Sequence, residues 1–161
     1  MLDIFNNLSP FFEDVFREIS VREYGRMRKI SAPTASLLLK GFAKEGILIM
    51  RAERNLLLFR ANRESGLFAD FAIGYWRSIL NKAFEPLREK IIFRKIILFG
   101  SIAKIENRID SDIDMFIDIK PIKLDISGIE RVIKRKIQLH FSNALSNKHL
   151  EANIKEGIEI K

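Results

Sequence analysis

The chain has 161 residues and a formal net charge of +7, with 47% hydrophobic and 30% charged residues. This composition is ordinary for a folded protein and unlike that of a disordered chain, and the length allows one domain or two. The absence of cysteine excludes disulfides and thiolate metal sites, and two histidines are too few for a histidine-rich zinc site. Any bound metal should therefore be held by oxygen atoms.

The charge is concentrated in one stretch. Residues 17–63 contain eleven Lys and Arg residues and four Glu, a net of +7. Such a stretch is typical of a protein with a polyanionic partner, although a solvated basic surface is an equally good interpretation. No apolar run approaches the roughly 20 residues of a membrane span, and residues 1–10 lack the basic start and apolar core of a signal peptide. We therefore expect a cytoplasmic protein with no membrane association.

Two helices are predicted at the start of the chain. Ser9 and Pro10 are a typical N-cap and first helical residue, and apolar residues follow at helical spacing, namely Phe11, Phe12, Val15, Phe16 and Ile19. Ser20 begins a capping box for a second helix, which should end near Ile30. Its Tyr24 and Met27 are expected to face inward, which leaves a basic outer face.

A third helix and a β-hairpin come next. Ser31 opens the helix, Pro33 is tolerated in its first turn, and its apolar stripe consists of Leu37, Leu38, Phe42 and Ala43. Two short apolar runs, residues 47–50 and 56–60, flank the charged segment 51–55. This pattern predicts a two-stranded ribbon.

Residues 21–63 resemble the winged helix-turn-helix of small archaeal and bacterial DNA-binding regulators. The likeness is carried by residues 34–47, a recognition-like helix that ends at Glu45-Gly46 and leads into a strand. It implies that the third helix enters the major groove of double-stranded DNA and that a wing near residues 51–55 contacts phosphates. The candidate DNA contacts are Arg26, Arg28, Lys29, Thr34, Ser36, Lys40, Arg51 and Arg54. Winged helices also serve as protein-binding modules, and they commonly pair on palindromic sites, so a homodimer is the default expectation.

Aromatic and aliphatic residues recur at helical spacing from Gly66 to Leu87 and predict one long helix, with Pro86 near its end. We expect this helix to connect two domains. The predicted division is a winged helix domain at residues 1–65, the connecting helix at 66–89, and a second domain at 90–161.

The second domain carries a pattern of aspartates. Residues 96–99 form a continuous apolar run that ends at Gly100-Ser101, which predicts a buried strand followed by a turn and a helix. Residues 109–119 predict a second strand with Asp112, Asp114, Phe116 and Asp118 on one face. Neighbouring carboxylates repel one another unless a cation lies between them, and Mg2+ (or Mn2+) is suited to such oxygen ligands.

Gly100-Ser101, Ala103-Lys104 and Ser111-Asp112-Ile113-Asp114 together resemble the signature of the nucleotidyltransferase superfamily that includes DNA polymerase beta, and most closely its minimal prokaryotic members. The resemblance implies that a nucleoside triphosphate is the substrate, with nucleotide contacts at Gly100, Ser101, Lys104 and Ser111. It implies that Asp112 and Asp114 hold the metal and are catalytic. An acceptor hydroxyl then attacks the α phosphate.

The sequence departs from that family at two positions. A third carboxylate is expected on a later strand, residues 136–141, but the position is Gln138, a poor metal ligand. Ile105 lies where many members carry glycine. His140 lies on the same predicted face as Gln138 and is a candidate catalytic base, although a strand histidine is more often structural. Asp118 is another candidate for the third carboxylate, and residues 131–136 form a basic segment that is either a solvated helix end or a phosphate site.

The sequence therefore predicts an α/β (α+β) protein with an N-terminal winged helix-turn-helix, a connecting helix, and a C-terminal nucleotidyltransferase-type mixed β-sheet with flanking helices. The first functional hypothesis is a magnesium-dependent enzyme that transfers a nucleoside monophosphate to an acceptor hydroxyl. The second is a DNA-binding transcriptional regulator whose transferase domain is weak or inactive and binds a nucleotide or a partner. The resemblance also suggests an antitoxin role beside a partner toxin.

Overall fold

The N-terminal half of the chain forms helices packed on a small antiparallel sheet. A computed structural model describes residues 3–89, 91–92 and 94–160, and these divide between Ala72 and Ile73 into two units. The elements of the first unit are α1 (Asp3–Glu13), β1 (Ile19–Ser20), α2 (Val21–Arg28), α3 (Ala32–Lys44), β2 (Leu48–Glu53), β3 (Leu56–Ala61) and the start of α4 (Gly66–Arg88). The strand order is β1-β3-β2, with both pairs antiparallel.

Serine caps set the starts of α2 and α3, as the sequence predicts. The Ser20 hydroxyl accepts a hydrogen bond from the Glu23 amide, and the Ser31 hydroxyl accepts one from the Thr34 amide, each at 3.3 Å. Each bond satisfies a backbone donor that has no partner within its helix. Tyr24 is fully buried, and its hydroxyl donates to the Asn7 carbonyl at 2.9 Å, so α1 and α2 are joined by one buried side chain.

The predicted boundaries of the first helix are wrong. Helix α1 begins at Asp3 and contains Pro10 in its interior. Proline lacks the amide that would bond to the carbonyl of Asn6, and the Ser9 hydroxyl donates to that carbonyl instead at 2.9 Å. The helix ends at Glu13, so Val15, Phe16 and Ile19 lie beyond it, with Ile19 in β1.

Two residues predicted to face inward are exposed. Met27 is 40% exposed and Leu37 is 76% exposed, whereas Tyr24, Ala35 and Leu39 are buried. Both exposed residues lie on the outer sides of short helices that bury only a narrow face. Helical spacing alone does not identify which of several apolar residues lies at the centre of that face.

The hairpin is longer than the apolar runs that predict it. Strand pairing continues through Arg51↔Leu58, Ala52↔Leu57 and Glu53↔Leu56, so the turn consists of Arg54 and Asn55 alone. Arg51 therefore lies within β2 and outside the tip. Charged residues continue the ladder here because the end of the hairpin is exposed on both faces.

The second unit contains a four-stranded mixed sheet. Its elements after α4 are β4 (Ile96–Phe99), α5 (Gly100–Ala103), β5 (Ile113–Ile117), α6 (Ser127–Ile133), β6 (Ile137–His140), a 3₁₀ helix (Ser142–Ser146), α7 (Lys148–Lys155) and β7 (Ile158–Glu159). The strand order is β6-β5-β4-β7, and only β5 and β6 are parallel. Phe99, Phe116 and Ile154 form a buried cluster where α7 covers the sheet.

The α+β class predicted from the sequence is confirmed, and so are the strand at Ile96–Phe99 and the long helix at Gly66–Arg88. The division between the two units falls inside α4, and the three-part division of the chain stays a prediction; Lys90, its expected last boundary, lies outside the described residues. Within the described ranges, no helix combines the length and hydropathy needed to span a bilayer.

Candidate functional site

The end of β4 and the start of α5 form a bend directly beside β5. Phe99 is the strand partner of Asp114, and the next residue, Gly100, has a φ of 75°. A Cβ atom at Gly100 would lie 2.2 Å from Oδ2 of Asp114. Only glycine fits here, because both the left-handed backbone and the nearby carboxylate exclude a side chain.

The two aspartates of the predicted motif share one side of the sheet with Gln138. Gln138 pairs with Asp114 in the parallel ladder between β5 and β6, and its Nε2 donates to Oδ2 of Asp112 at 2.8 Å. Strand β5 itself is only Ile113–Ile117, shorter than predicted, so Asp112 immediately precedes it. The bend at Gly100 and both carboxylates therefore meet at one end of the sheet.

Asp114 lies in an electrostatically unfavourable position for a carboxylate. Burial raises the pKa of Asp114, His140 opposes that rise, and the charge of Asp112 adds to it. His140 is nearby, with Nε2 3.9 Å from Oδ1 of Asp114, and its ring packs edge-on against Phe99 at a centroid distance of 5.2 Å. Negative charge at this position is costly without a neighbouring cation.

The remaining predicted nucleotide contacts have structural partners. Ser101 is half-buried, and its carbonyl accepts from the Glu106 amide at 2.8 Å. The Lys104 ammonium donates to Asn153 of α7 at 2.8 Å and lies 4.0 Å from Glu156. The Ser111 hydroxyl accepts from the Arg108 amide at 2.9 Å. The structure thus engages Lys104 with α7 and Ser111 with the turn that precedes Asp112.

Sequence reasoning missed the role of Arg135 in this turn. Its Nη1 donates to the carbonyls of Arg108 and Ser111 at 2.9 and 2.8 Å, and its guanidinium lies 5.3 Å from the ring centroid of Trp76. The backbone just before Asp112 is therefore fixed by a side chain from the start of β6. No sequence signal distinguishes Arg135 from the other cations of the basic segment 131–136.

The donors present suit one divalent cation better than two. Asp112 and Asp114 supply carboxylate oxygens, which hard cations prefer, and the raised pKa of Asp114 indicates that the site benefits from added positive charge. Among the described residues, no group of three or more histidine, aspartate or glutamate side chains is arranged to hold a metal. Asp118, the alternative third carboxylate, lies beyond β5 and does not complete such a group.

The candidate DNA contacts all lie in the first unit. Arg26, Lys29, Thr34, Lys40, Arg51 and Arg54 are exposed, whereas Arg28 and Ser36 are half-buried. Arg51 differs from the rest because it forms ion pairs with Glu18 and Glu53. Hydrogen bonds to these two glutamates raise the pKa of Arg51, and the bond to Arg51 lowers the pKa of Glu18. A guanidinium neutralised in this way is a poorer phosphate ligand than the sequence suggests.

Comparison with known proteins agrees with the motif around Gly100 and Asp114. The model of the family described as nucleotidyltransferase domain matches residues 80–160, half of the chain. No curated protein and no solved structure shows significant similarity to the chain. The matched segment contains β4, α5, β5 and β6, which are the elements that bring the bend and the two aspartates together. The chain belongs to the nucleotidyltransferase domain family.

Proposed function

We propose that the second unit is a magnesium-dependent nucleotidyltransferase that transfers a nucleoside monophosphate from a nucleoside triphosphate to an acceptor hydroxyl. The observation that carries the proposal is the contact between the bend and the carboxylate, where a Cβ on Gly100 would lie 2.2 Å from Asp114. This contact leaves space for a polyphosphate only if residue 100 has no side chain. Family membership supports the general transferase reaction.

In the proposed reaction the acceptor oxygen forms a bond to the α phosphorus, the bond from that phosphorus to the bridging oxygen breaks, and pyrophosphate leaves. Asp112 and Asp114 hold the metal, and Gly100 and Ser101 lie along the polyphosphate. A bound Mg2+ supplies charge neutralisation for the phosphates and the leaving group. His140 receives the proton of the acceptor hydroxyl, since its imidazole is within 3.9 Å of Asp114.

Label transfer from ATP carrying a radioactive α phosphate tests this proposal. With Mg2+ and candidate protein and nucleic-acid acceptors, Asp114→Asn should lower the rate by about a hundredfold or more, because it removes charge from the metal site. Asp110→Asn is the matched control, since Asp110 is an exposed carboxylate just before the site. Equal rates for wild type and Asp114→Asn would refute the proposed role of the aspartates.

A regulator with a weak or inactive transferase domain is the second candidate. Gln138 favours it, because the residue paired with Asp114 donates a hydrogen bond to Asp112 and offers no charge for a second metal. In this case the domain binds the nucleotide and the first unit acts on DNA. Nucleotide binding without label transfer would distinguish the regulator from the enzyme.

We propose further that the first unit is a winged helix-turn-helix that binds double-stranded DNA. Helices α2 and α3 approach closely at Gly25, where a Cβ would lie 3.0 Å from the Ile30 carbonyl. Beside this contact, Arg22 and Arg26 line a groove of about 520 Å³ together with Gly25, Ile30 and Ala32. Exposed cations on α2, α3 and the hairpin tip supply the charge that phosphate contacts need.

Titrations with labelled double-stranded DNA at several salt concentrations test the first unit. Lys40→Ala and Arg54→Ala should each weaken binding about twofold to fivefold and reduce the salt dependence. Arg51→Ala should change it less, because Glu18 and Glu53 already neutralise Arg51. Replacing those glutamates by glutamine should strengthen binding by freeing the guanidinium. Affinity that barely responds to salt would contradict the phosphate contacts.

The resemblance to antitoxins extends the proposal to a partner protein as the acceptor, to a homodimer, and to action in the cytoplasm. A partner toxin would offer a side-chain hydroxyl in place of the hydroxyl of a nucleic acid. The two acceptor classes differ in charge, and the basic surfaces of this chain bear on the choice between them.

A further inference from the structure

A basic cavity lies beside the site of Asp112, and neither the motif nor the proposed reaction uses it. Its volume is about 350 Å³, and it is lined by Ser127, Glu130, Arg131, Lys134, Arg135 and Lys136. Four of these six residues carry a positive charge at neutral pH. Volumes of this order are typical of small ligand sites.

The backbone turns so that these cations face one cavity. Helix α6 ends at Ile133, and Lys134 adopts the left-handed conformation with a φ of 59° while its amide donates to the Glu130 carbonyl at 2.7 Å. The chain then reverses into β6, which brings Arg135 and Lys136 to the cavity that Arg131 lines. Cations on a merely solvated helix end point outward in different directions. The convergence here favours a binding site.

The charge of the cavity is only slightly compensated by its own acid. Glu130 is the acidic residue in the lining; one of its oxygens accepts from the Ile137 amide at 2.9 Å and the other lies 3.7 Å from the Lys136 ammonium. Arg131 and Lys134 are exposed and have no side-chain partner among the residues that the structure describes. They remain available for an anion.

Arg135 joins the cavity to the aspartates. It lines the cavity and also donates to the Ser111 carbonyl at 2.8 Å, immediately before Asp112. A group bound in the cavity is thus separated from the metal site by the length of about one side chain. An acceptor whose reactive hydroxyl is next to a phosphate would fit this spacing.

We propose that the cavity binds the phosphate backbone of a single-stranded nucleic acid and that the acceptor is the terminal 3′ hydroxyl of that strand. The inference rests on the proposed transferase function. The 3′ oxygen forms the bond to the α phosphorus, pyrophosphate leaves, and the hydroxyl proton passes to His140, so the strand gains one nucleotide. The backbone phosphate next to the terminus is held by Arg131 and Lys134.

Fluorescence anisotropy with labelled single-stranded RNA and DNA of one sequence tests the cavity in the full-length protein. Arg131→Ala/Lys134→Ala should weaken binding about threefold to tenfold, and the slope of log K against log salt should fall by about 1.4 if both phosphate contacts are lost. Lys82→Ala/Lys148→Ala is the matched control, because both lysines are exposed and lie outside the cavity. Unchanged affinity in the cavity variant would overturn the inference.

Lys134→Gly separates binding from folding. Glycine is the preferred residue at a left-handed position after a helix, so the variant should unfold at the same or a higher temperature than wild type. It should nevertheless bind the strand more weakly, since it lacks the cation. Weaker binding that appears only together with a lower unfolding temperature would contradict a direct contact.

Two further measurements keep this inference distinct from the proposed function. Binding of a fluorescent ATP analogue with Mg2+ should fail in Asp114→Asn and persist in Arg131→Ala/Lys134→Ala; equal losses in both would assign the cavity to the nucleotide. Loss of RNA binding in Lys40→Ala/Arg54→Ala with no loss in the cavity variant would assign the strand to the first unit. Label transfer to proteins alone would refute a nucleic-acid acceptor, whereas no transfer by wild type would refute the transferase itself.

Discussion

Gly100 satisfies two separate requirements of the site. Its φ of 75° is unfavourable for residues with a Cβ, and the space that a Cβ would fill is occupied by the Asp114 carboxylate. Gly46 has a similar φ of 70° but no heavy atom within 4 Å of an added Cβ. The two glycines therefore allow backbone strain to be separated from the collision with Asp114.

We predict that Gly100→Ala and Gly46→Ala each lower the free energy of unfolding by about 1–2 kcal/mol, because both force alanine into the left-handed region. Only Gly100→Ala should also abolish binding of an ATP analogue with Mg2+, since it displaces the Asp114 carboxylate. Denaturant melts and nucleotide titrations on the same preparations measure the two effects. Normal nucleotide affinity in Gly100→Ala would show that the bend does not face the nucleotide.

Ile105 shows why a departure from the family pattern matters physically. It has a φ of 57°, a conformation that strongly disfavours β-branched side chains, and many related proteins are expected to carry glycine there. The side chain is 9% exposed, so burial of the isoleucine offsets part of the backbone strain. The departure at this position therefore affects stability without adding or removing a reactive group.

The pairing of β5 with β6 determines how many charges face the metal site. The parallel register places Gln138 opposite Asp114, and the amide of Gln138 donates to Asp112 at 2.8 Å. This hydrogen bond holds Asp112 in place without contributing a charge. A glutamate of the same length at this position would place a third carboxylate against Asp112.

Gln138→Glu should therefore raise the affinity for Mg2+ and increase label transfer by at least about tenfold, because a third carboxylate supports a second cation and the acceptor hydroxyl. Without metal the variant should be less stable than wild type, since adjacent carboxylates repel each other. Gln138→Ala, which removes the hydrogen bond without adding charge, is the control. Metal-dependent stabilisation with no gain in transfer would favour the nucleotide-binding regulator.

Residues with strong local signals were predicted well. Ser20 and Ser31 cap their helices as expected, and the apolar run before Gly100 forms β4 with the expected boundaries. The failures concern features that local pattern does not contain. Pro10 is accommodated because Ser9 bonds to Asn6, Arg51 is neutralised by Glu18 from a distant segment, and Arg135 fixes a turn that lies far from it in the sequence. Each depends on tertiary contacts.

Two chemistries are proposed for the two units of one chain. The net charge of residues 17–63 equals that of the whole protein, so the remaining residues are balanced overall, although the cavity beside α6 is locally basic. Overall charge thus explains attraction to polyanions in general, while local geometry decides what each unit binds. Ligand-specific protection of the backbone is the measurement that distinguishes the two units.

Hydrogen exchange on the full-length protein should therefore respond differently to the two ligands. ATP with Mg2+ should slow exchange in β4 and β5, by up to about a hundredfold at a concentration of roughly 100 times Kd, because a ligand stabilises the folded form that binds it. Double-stranded DNA should slow exchange in α3 and the hairpin of β2 and β3. Asp114→Asn should remove the first effect and leave the second, and Lys40→Ala/Arg54→Ala should weaken only the second. Protection of β4 and β5 by ATP that persists in Asp114→Asn would contradict the assignment of nucleotide and metal to the aspartates, even if the protein binds both ligands.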